Sequence, residues 1–312
     1  MNILVTAIGS MSAACVITQL KNTNNLVIGC DIYPKEWHYE SSLCDYFYQV
    51  PYATNEIEYC KSLIKICKKH NINYIIPLTD LEIDSINKNR ELFTNIILCI
   101  PDSNIIEIVR NKYKLYKYFK DDSIITVPTT WYLNEYKIRY NNIVAKLING
   151  RSSQGLLIKP TFEQLMALND KFKYIVQQYI DGNVCTIDYC RSAKYKNDAI
   201  IAREELLRTT NGAGLTVKMF TDLKLNEIVS YIGKKLNING AICIEFIKNK
   251  NDYYLIDINP RFSAGIEFSL LSGYDMANNH LNCFNNKQID CLQNINEKIL
   301  IKKYDTIVSN IS

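Results

Sequence analysis

Three oxygen-bearing side chains in the C-terminal third of the sequence stand at spacings that suit a hard cation. Glu245, Asp257 and Asn259 lie in the segment Ala241–Gly265 (AICIEFIKNKNDYYLIDINPRFSAG), where two β-rich runs flank a polar turn at Asn249–Asp252. A hairpin centred on Asn251 sets Glu245 opposite Asp257, with Asn259 two residues further along the same face. The other face then carries Ile242, Ile244 and Phe246 against Ile258, Ile256 and Tyr254. Hydrocarbon falls on one side and oxygen on the other, and a slip of one residue would bury the acids. Two carboxylates and an amide suit octahedral Mg²⁺, which shares its remaining positions with substrate phosphates. Arg261 follows as an anchor for a phosphate or a carboxylate. Standing alone, the same acids read equally as the solvated side of a hairpin.

Two other segments have the chemistry of a nucleotide site. In Ile143–Gly155 (IVAKLINGRSSQG) an apolar strand carries Lys146 into a loop of small polar residues that includes Ser152 and Ser153. A lysine fixed on a strand reaches phosphate oxygens, while loop N–H groups and hydroxyls cover a triphosphate. In Tyr174–Gly182 (YIVQQYIDG) a β-rich run ends in a polar hinge able to bond an adenine edge. Between them and the hairpin, Ala202–Thr216 offers Arg203 and Arg208 as contacts for phosphate or substrate, or as plain ion pairs. No GxxxxGK[ST] motif occurs, and a lone glycine after the first strand makes no dinucleotide fingerprint.

These residues must be positioned by a mixed architecture. The first hundred residues alternate strand and helix: strands at Asn2–Ala7, Leu26–Asp31, Tyr74–Pro77 and Asn95–Ile100, helices at Ser12–Leu20, Glu56–His70 and Leu81–Leu92. The Glu56–His70 helix repeats apolar residues at Ile57, Cys60, Leu63, Ile64 and Cys67. Such alternation argues for a parallel sheet. Asp80 and Glu82 follow a parallel strand, the edge where α/β sheets bind ligands, but Asp80 reads better as N-cap of the helix starting at Leu81. After Pro101 the pattern changes to a helical stretch, Asn104–Lys120, and then to antiparallel β. The fold expected is α/β followed by α+β, with units at 1–102, 103–180 and 181–312.

Composition narrows the classes. The 312 residues are 47% hydrophobic and 22% charged with a net charge of +4, and no basic run has the density of a nucleic-acid patch. No apolar stretch reaches the roughly 18 residues that span a bilayer, and the N-terminus reads as a strand rather than a signal peptide. Eleven cysteines without CxxC pairing, mostly inside apolar runs, read as buried thiols of a reducing compartment. Three dispersed histidines make no zinc site. The expectation is a cytoplasmic protein with no nucleic-acid or membrane partner.

In order along the chain, these pieces resemble the ATP-grasp superfamily, and most closely stand-alone enzymes like the large subunit of carbamoyl-phosphate synthetase. The family's EINPR element appears as Asp257-Ile258-Asn259-Pro260-Arg261, followed by Ser263-Ala264-Gly265. The resemblance implies a Rossmann-like pre-ATP-grasp domain before a two-subdomain ATP-grasp fold. It implies ATP and Mg²⁺, with Mn²⁺ as alternative, and Glu245, Asp257 and Asn259 as metal ligands. Lys146 and, at the Asn111-Lys112 helix start, Lys112 would meet phosphates, with Ser152 and Ser153 in the covering loop. Gln178, Tyr179 and Ile180 would form the adenine hinge. There the family has Glu where this chain has Gln178, and a second Glu where it has Val184. Asn259, Arg261 and Lys146 would serve catalysis of ADP-forming carboxylate–amine ligation on small molecules, with a homodimer as an open assembly. His280 is a weak candidate base and a better structural residue. Rival readings are a small-molecule kinase of the same fold, a non-catalytic ATP sensor, and an NAD(P)-dependent sugar-modifying enzyme using Tyr113 and Lys117.

Overall fold

Short apolar runs separated by amphipathic helices build the first sheet, as their alternation dictates. The computed structural model describes residues 1–137, 142–292 and 295–309; residues 138–141 of the expected second unit, and 293–294 and 310–312 of the third, lie outside the described residues. Strands β1 (Asn2–Thr6), β2 (Leu26–Asp31), β3 (Tyr46–Gln49), β4 (Tyr74–Pro77) and β5 (Ile97–Leu98) form a five-stranded sheet in the order β3-β2-β1-β4-β5. Every pairing is parallel. Helices α1 (Ala13–Lys21), α2 (Glu56–His70) and α3 (Asp80–Lys88) make the crossovers. The α2 face against the sheet is Tyr59, Cys60, Leu63, Ile66 and Cys67. Ile57, expected in that stripe, is 50% exposed, and Tyr59 is the buried residue of the first turn. The expected helix to Leu92 ends at Lys88, and a single 3₁₀ turn, Arg90–Leu92, follows.

The remaining strands form two antiparallel sheets. One joins β6 (Thr130–Tyr132), β7 (Ile143–Leu147), β8 (Leu157–Ile158) and β9 (Tyr174–Gln178) in the order β6-β9-β7-β8. The other joins β10 (Asn183–Ser192), β11 (Asn197–Arg208), β12 (Gly214–Phe220), β13 (Gly240–Asn249), β14 (Asp252–Asn259) and β15 (Lys298–Ile301) in the order β14-β13-β10-β11-β12-β15.

The six-stranded sheet is covered on both faces. One face packs Ile187, Tyr189, Ile244, Phe246 and Ile258 against α4 (Ser103–Val109), α5 (Lys112–Phe119) and, beyond the short α6 (Phe162–Met166), α7 (Leu223–Lys235). The other joins Cys190, Ile201, Val217 and Ala241 to α8 (Ile266–Leu271), α9 (Met276–Phe284) and the β1 and α1 residues of the first sheet. One continuous core thus fixes the parallel sheet to the antiparallel one, each fully buried Ile or Phe contributing about 1.5–3 kcal/mol. His280 belongs to this core: its Nδ1 accepts from the Ala241 N–H at 2.8 Å, and its Nε2 lies 3.2 Å from the Cys99 carbonyl. Burial lowers its pKa to about 4, so it is a neutral structural group.

Among the described residues, no helix is long and apolar enough to cross a membrane. All eleven cysteines are free thiols, most of them buried.

Candidate active site

The β13–β14 hairpin places Glu245 opposite Asp257 and Cys243 opposite Asn259. The oxygen-bearing face is therefore as its pattern requires. The hydrocarbon face differs from expectation. The turn residues are Lys250 and Asn251, with Lys250 at φ 51°, so the ladder starts one residue out of phase with Glu245–Asp257. A bulge between Glu245 and Phe246 absorbs the difference, leaving Ile256 without a partner. Tyr253 and Leu255, not Tyr254 and Ile256, accompany Ile258 into the core, and Ile256 turns to the cleft.

That cleft, of about 490 Å³, lies where the three sheets meet. Lys146 enters it from β7, and Lys112 from the first turn of α5. The helical stretch expected as continuous breaks at Arg110-Asn111, and the Asn111 side chain caps α5 by accepting from the Tyr113 and Lys114 N–H groups at 3.1 and 2.9 Å. This cap aims Lys112 inward. Its Nζ lies 3.0 Å from both Asp257 oxygens and 3.1 Å from the Gly150 carbonyl. Lys146 Nζ donates to the Ile256 carbonyl at 3.3 Å. Burial, then the charge of Lys112, pulls the Lys146 pKa down to about 8, although Asp257 and Glu245 work the other way.

The loop after β7 contributes Arg151, Ser152 and Ser153 to the cleft. Ser152 and Ser153 have φ of 50° and 55° and Gly155 of 67°. Left-handed backbone at non-glycine residues is uncommon, and here it folds the loop over the cleft mouth. Arg208 stands across from it: its Nε donates to the Gly212 carbonyl at 2.8 Å and its guanidinium to Glu245 Oε1 at 2.7 Å. Arg261 lies at the edge of the parallel sheet, 3.1 Å from Asp80 Oδ2, and Arg110 lies 3.6 Å from Asp80 Oδ1. Burial alone would raise the Asp80 pKa, but these two guanidiniums hold it below the ordinary value. Asp80 is therefore not an N-cap: Thr79 precedes the helix, and Asp80 is its first residue, facing the arginines.

The cleft gathers Lys112, Lys146, Ser152, Ser153, Arg203, Arg208, Glu245, Asp257, Asn259 and Arg261. Gln178, Tyr179 and Ile180 are not among the residues that line it. Gln178 ends β9, its N–H bonded to the Thr129 carbonyl at 2.8 Å, and the Tyr179 N–H donates to Asn142 at 3.2 Å. Arg203 is 2% exposed and committed to Asp188, Glu205 and Ser263 at 2.8, 3.1 and 3.0 Å. Sequence reading missed Gly9–Ser12, Thr186 and Glu205 as lining residues. The first of these follows a parallel strand, the edge at which ligands gather. Asp31, which a dinucleotide ribose would need, is occupied: it accepts from the Gly9 N–H at 2.9 Å and lies 3.2 Å from His38 Nε2. Tyr113 lies against Tyr132 in a tilted ring contact, 3.9 Å between centroids, and neither it nor Lys117 lines the cleft.

The donor set at the cleft floor fits Mg²⁺. Among the described residues no three His, Cys, Asp or Glu gather into a cage. Two carboxylates and an amide leave most of an octahedral shell to water and phosphate, which is how this ion binds. Each carboxylate is paired with one cation, Glu245 with Arg208 and Asp257 with Lys112, so a metal bound there would compete with these ion pairs.

A cleft walled by two antiparallel sheets, with lysines on one side and a carboxylate hairpin on the other, defines an ATP-grasp architecture. Residues 109–265 match the ATP-grasp domain family, and residues 3–99 match the PylC-like N-terminal domain. The chain belongs to the ATP-grasp family. It is 26% identical over 217 residues to an uncharacterised protein of Methanocaldococcus jannaschii, covering 66% of this chain and 55% of that one. The chain thus spans about half the length of that relative. It is 23% identical over 244 residues to the tyramine–L-glutamate ligase of the same organism, covering 75% and 70%. A biotin carboxylase–ATP complex from Campylobacter jejuni has the same fold, with a TM-score of 0.76 at 16% identity over 95% of this chain and 74% of that chain.

Proposed function

We propose that this chain is an ADP-forming ligase that phosphorylates a small-molecule carboxylate with ATP and joins the product to an amine. The observation that supports this most is the pairing, in one cleft, of the Glu245–Asp257–Asn259 face with Lys112, Lys146, Arg208 and Arg261. Carboxylates are poor acyl donors, because oxide would have to leave. Attack of a carboxylate oxygen on the γ-phosphorus forms an acylphosphate and ADP, and the amine then displaces phosphate. The protein's part is positioning and charge neutralisation. Lys112 and Lys146 hold phosphate oxygens, and Ser152 and Ser153 cover them with loop N–H and hydroxyl groups. Arg261, braced by Asp80, orients the carboxylate or its acylphosphate. Gln178, Tyr179 and Ile180, at the end of β9 and beyond the residues that line this cleft, would receive the adenine edge where the nucleotide extends past it. When bound at Glu245, Asp257 and Asn259, Mg²⁺ would supply charge neutralisation on the phosphates, and Mn²⁺ would substitute.

The same reading takes the three sheets as three units, bounded near residues 102 and 180, of a cytoplasmic enzyme able to form a homodimer. The test measures ADP release from MgATP against pairs of carboxylates and amines, with L-glutamate and tyramine tried first. Release that needs both members of a pair is the expected result, and release with a carboxylate alone would instead fit a kinase. Glu245→Ala with Asp257→Ala should lose MgATP binding; binding like the wild type would refute the metal site.

A further inference from the structure

One wall of the cleft carries acceptors that nothing among the described residues satisfies. Thr186 on β10 sits between Arg203 on β11 and Glu245 on β13, on the face toward the cleft. Thr186 is 2% exposed, and its Oγ1 has no hydrogen-bond partner among the described residues. The Glu205 side chain is also 2% exposed and lines the cleft. Its Oε1 accepts from Arg203 Nε at 3.1 Å, but its Oε2 is buried without a partner. Behind them Asp188 repeats the pattern: Oδ2 accepts from Arg203 at 2.8 Å and Ser269 at 2.6 Å, while Oδ1 has none.

Buried acceptors left unpaired are costly, and so is an unbalanced charge. Two carboxylates around one guanidinium leave a net negative charge at this wall. Lys112 and Lys146, brought in from α5 and β7, carry positive charge into the same cleft and suit phosphates. Gly214 lets the Glu205 carboxylate lie against the backbone, since a Cβ there would collide with Oε2.

Resting on the ligase reading of this cleft, we infer that Glu205 and Thr186 form the subsite for a primary ammonium group of the substrate. An ammonium brings three N–H donors and one positive charge, which match the unpaired oxygens and the excess charge. Arg203 is then a positioning residue, fixing the Glu205 carboxylate through its bond to Oε1. The ammonium belongs either to the acceptor amine or to an amino acid that supplies the carboxylate.

The experiment titrates protein saturated with MgADP by calorimetry. The probes are the common L-amino acids, ethanolamine, putrescine and phenethylamine, each beside its deaminated or N-acetylated analogue. We expect binders to lose binding with the amino group. Glu205→Gln should weaken them about tenfold or more, and Thr186→Val several-fold, as loss of bonds to a charged group implies. MgATP affinity should stay within about twofold. Thr186→Val removes a hydroxyl that bonds nothing among the described residues, so it tests the subsite even where Glu205→Gln fails to fold. Binding of amines without a carboxylate identifies the acceptor amine, and binding of amino acids alone identifies the other source. The inference falls if no probe binds, if binding ignores the amino group, or if both variants bind as the wild type. ADP release without dependence on an amino group would overturn this subsite and leave the ligase reading standing. Amine binding lost in Glu205→Gln, with no ADP release from any pair, would do the reverse.

Discussion

Lys146 converts the buried geometry of the cleft into a pH dependence of ATP binding. Burial and the neighbouring Lys112 pull its pKa down to about 8 in the free protein. A triphosphate beside it would favour the charged form, so binding takes up a proton wherever the free lysine is neutral. With a pKa near 8, Lys146 is roughly nine-tenths charged at pH 7 and about one-tenth charged at pH 9. The dissociation constant for MgATP should therefore rise about tenfold between pH 7 and pH 9, provided the complex keeps Lys146 charged throughout. Titration calorimetry at fixed ionic strength, in two buffers of different ionisation enthalpy, reads both the slope and the proton count. Lys146→Arg carries a charge at every pH used, so its profile should be flat. Lys146→Met should be flat as well, and weaker at pH 7. Equal slopes in the wild type and Lys146→Arg would refute the argument, because the titrating group would then lie elsewhere.

Three other perturbations follow from buried partners. Glu82 is raised to about 7 chiefly by burial, against hydrogen bonds from Tyr59 and Thr79. A carboxyl raised on folding contributes stability that is full below its unfolded pKa near 4.5 and is lost as pH rises through about 7. Glu82→Gln should accordingly raise Tm at pH 8 more than at pH 5, checked by thermal melts across that range. Asp80→Asn leaves Arg261 and Arg110 facing a neutral amide, and should cost about 3–5 kcal/mol in urea melts at pH 7. Because the Asp80 pKa is held low, this loss should shrink only as pH falls below the ordinary carboxylate range. Asn111→Ala removes the α5 cap, and should cost about 1 kcal/mol of stability while weakening MgATP binding by loosening Lys112.

The fold was legible in the sequence where local pattern and tertiary demand agree. The strands Leu26–Asp31 and Tyr74–Pro77 and the helix Glu56–His70 have the bounds the sequence predicts, because the strands are short apolar runs buried on both faces and the helix has one buried stripe. Strand β3 was not legible. Tyr46–Gln49 is a half-exposed edge strand with no fully buried residue, so its sequence carries no burial signal. The break at Asn111 was visible only as the start of a motif, since the cap needs a side chain folded back on its own helix.

The site divides along the same line. Glu245, Asp257 and Asn259 could be read because period-two alternation records which way a strand side chain points. The bulge at Ile256 could not, since one inserted residue leaves the acids in place and exchanges only the apolar residues behind them. Thr186 and Glu205 were illegible for a further reason. Thr186 sits in a strand buried on both faces, and Glu205 in the half-exposed end of β11 beside exposed Leu206 and Leu207, so alternation marks neither as a site residue. Their importance appears only when β10 brings Thr186 between Arg203 and Glu245. What the sequence reports well is chemistry carried by one hairpin. What it hides is chemistry assembled across strands distant in the chain, and in this cleft the acceptors on β10 and β11 are of that kind.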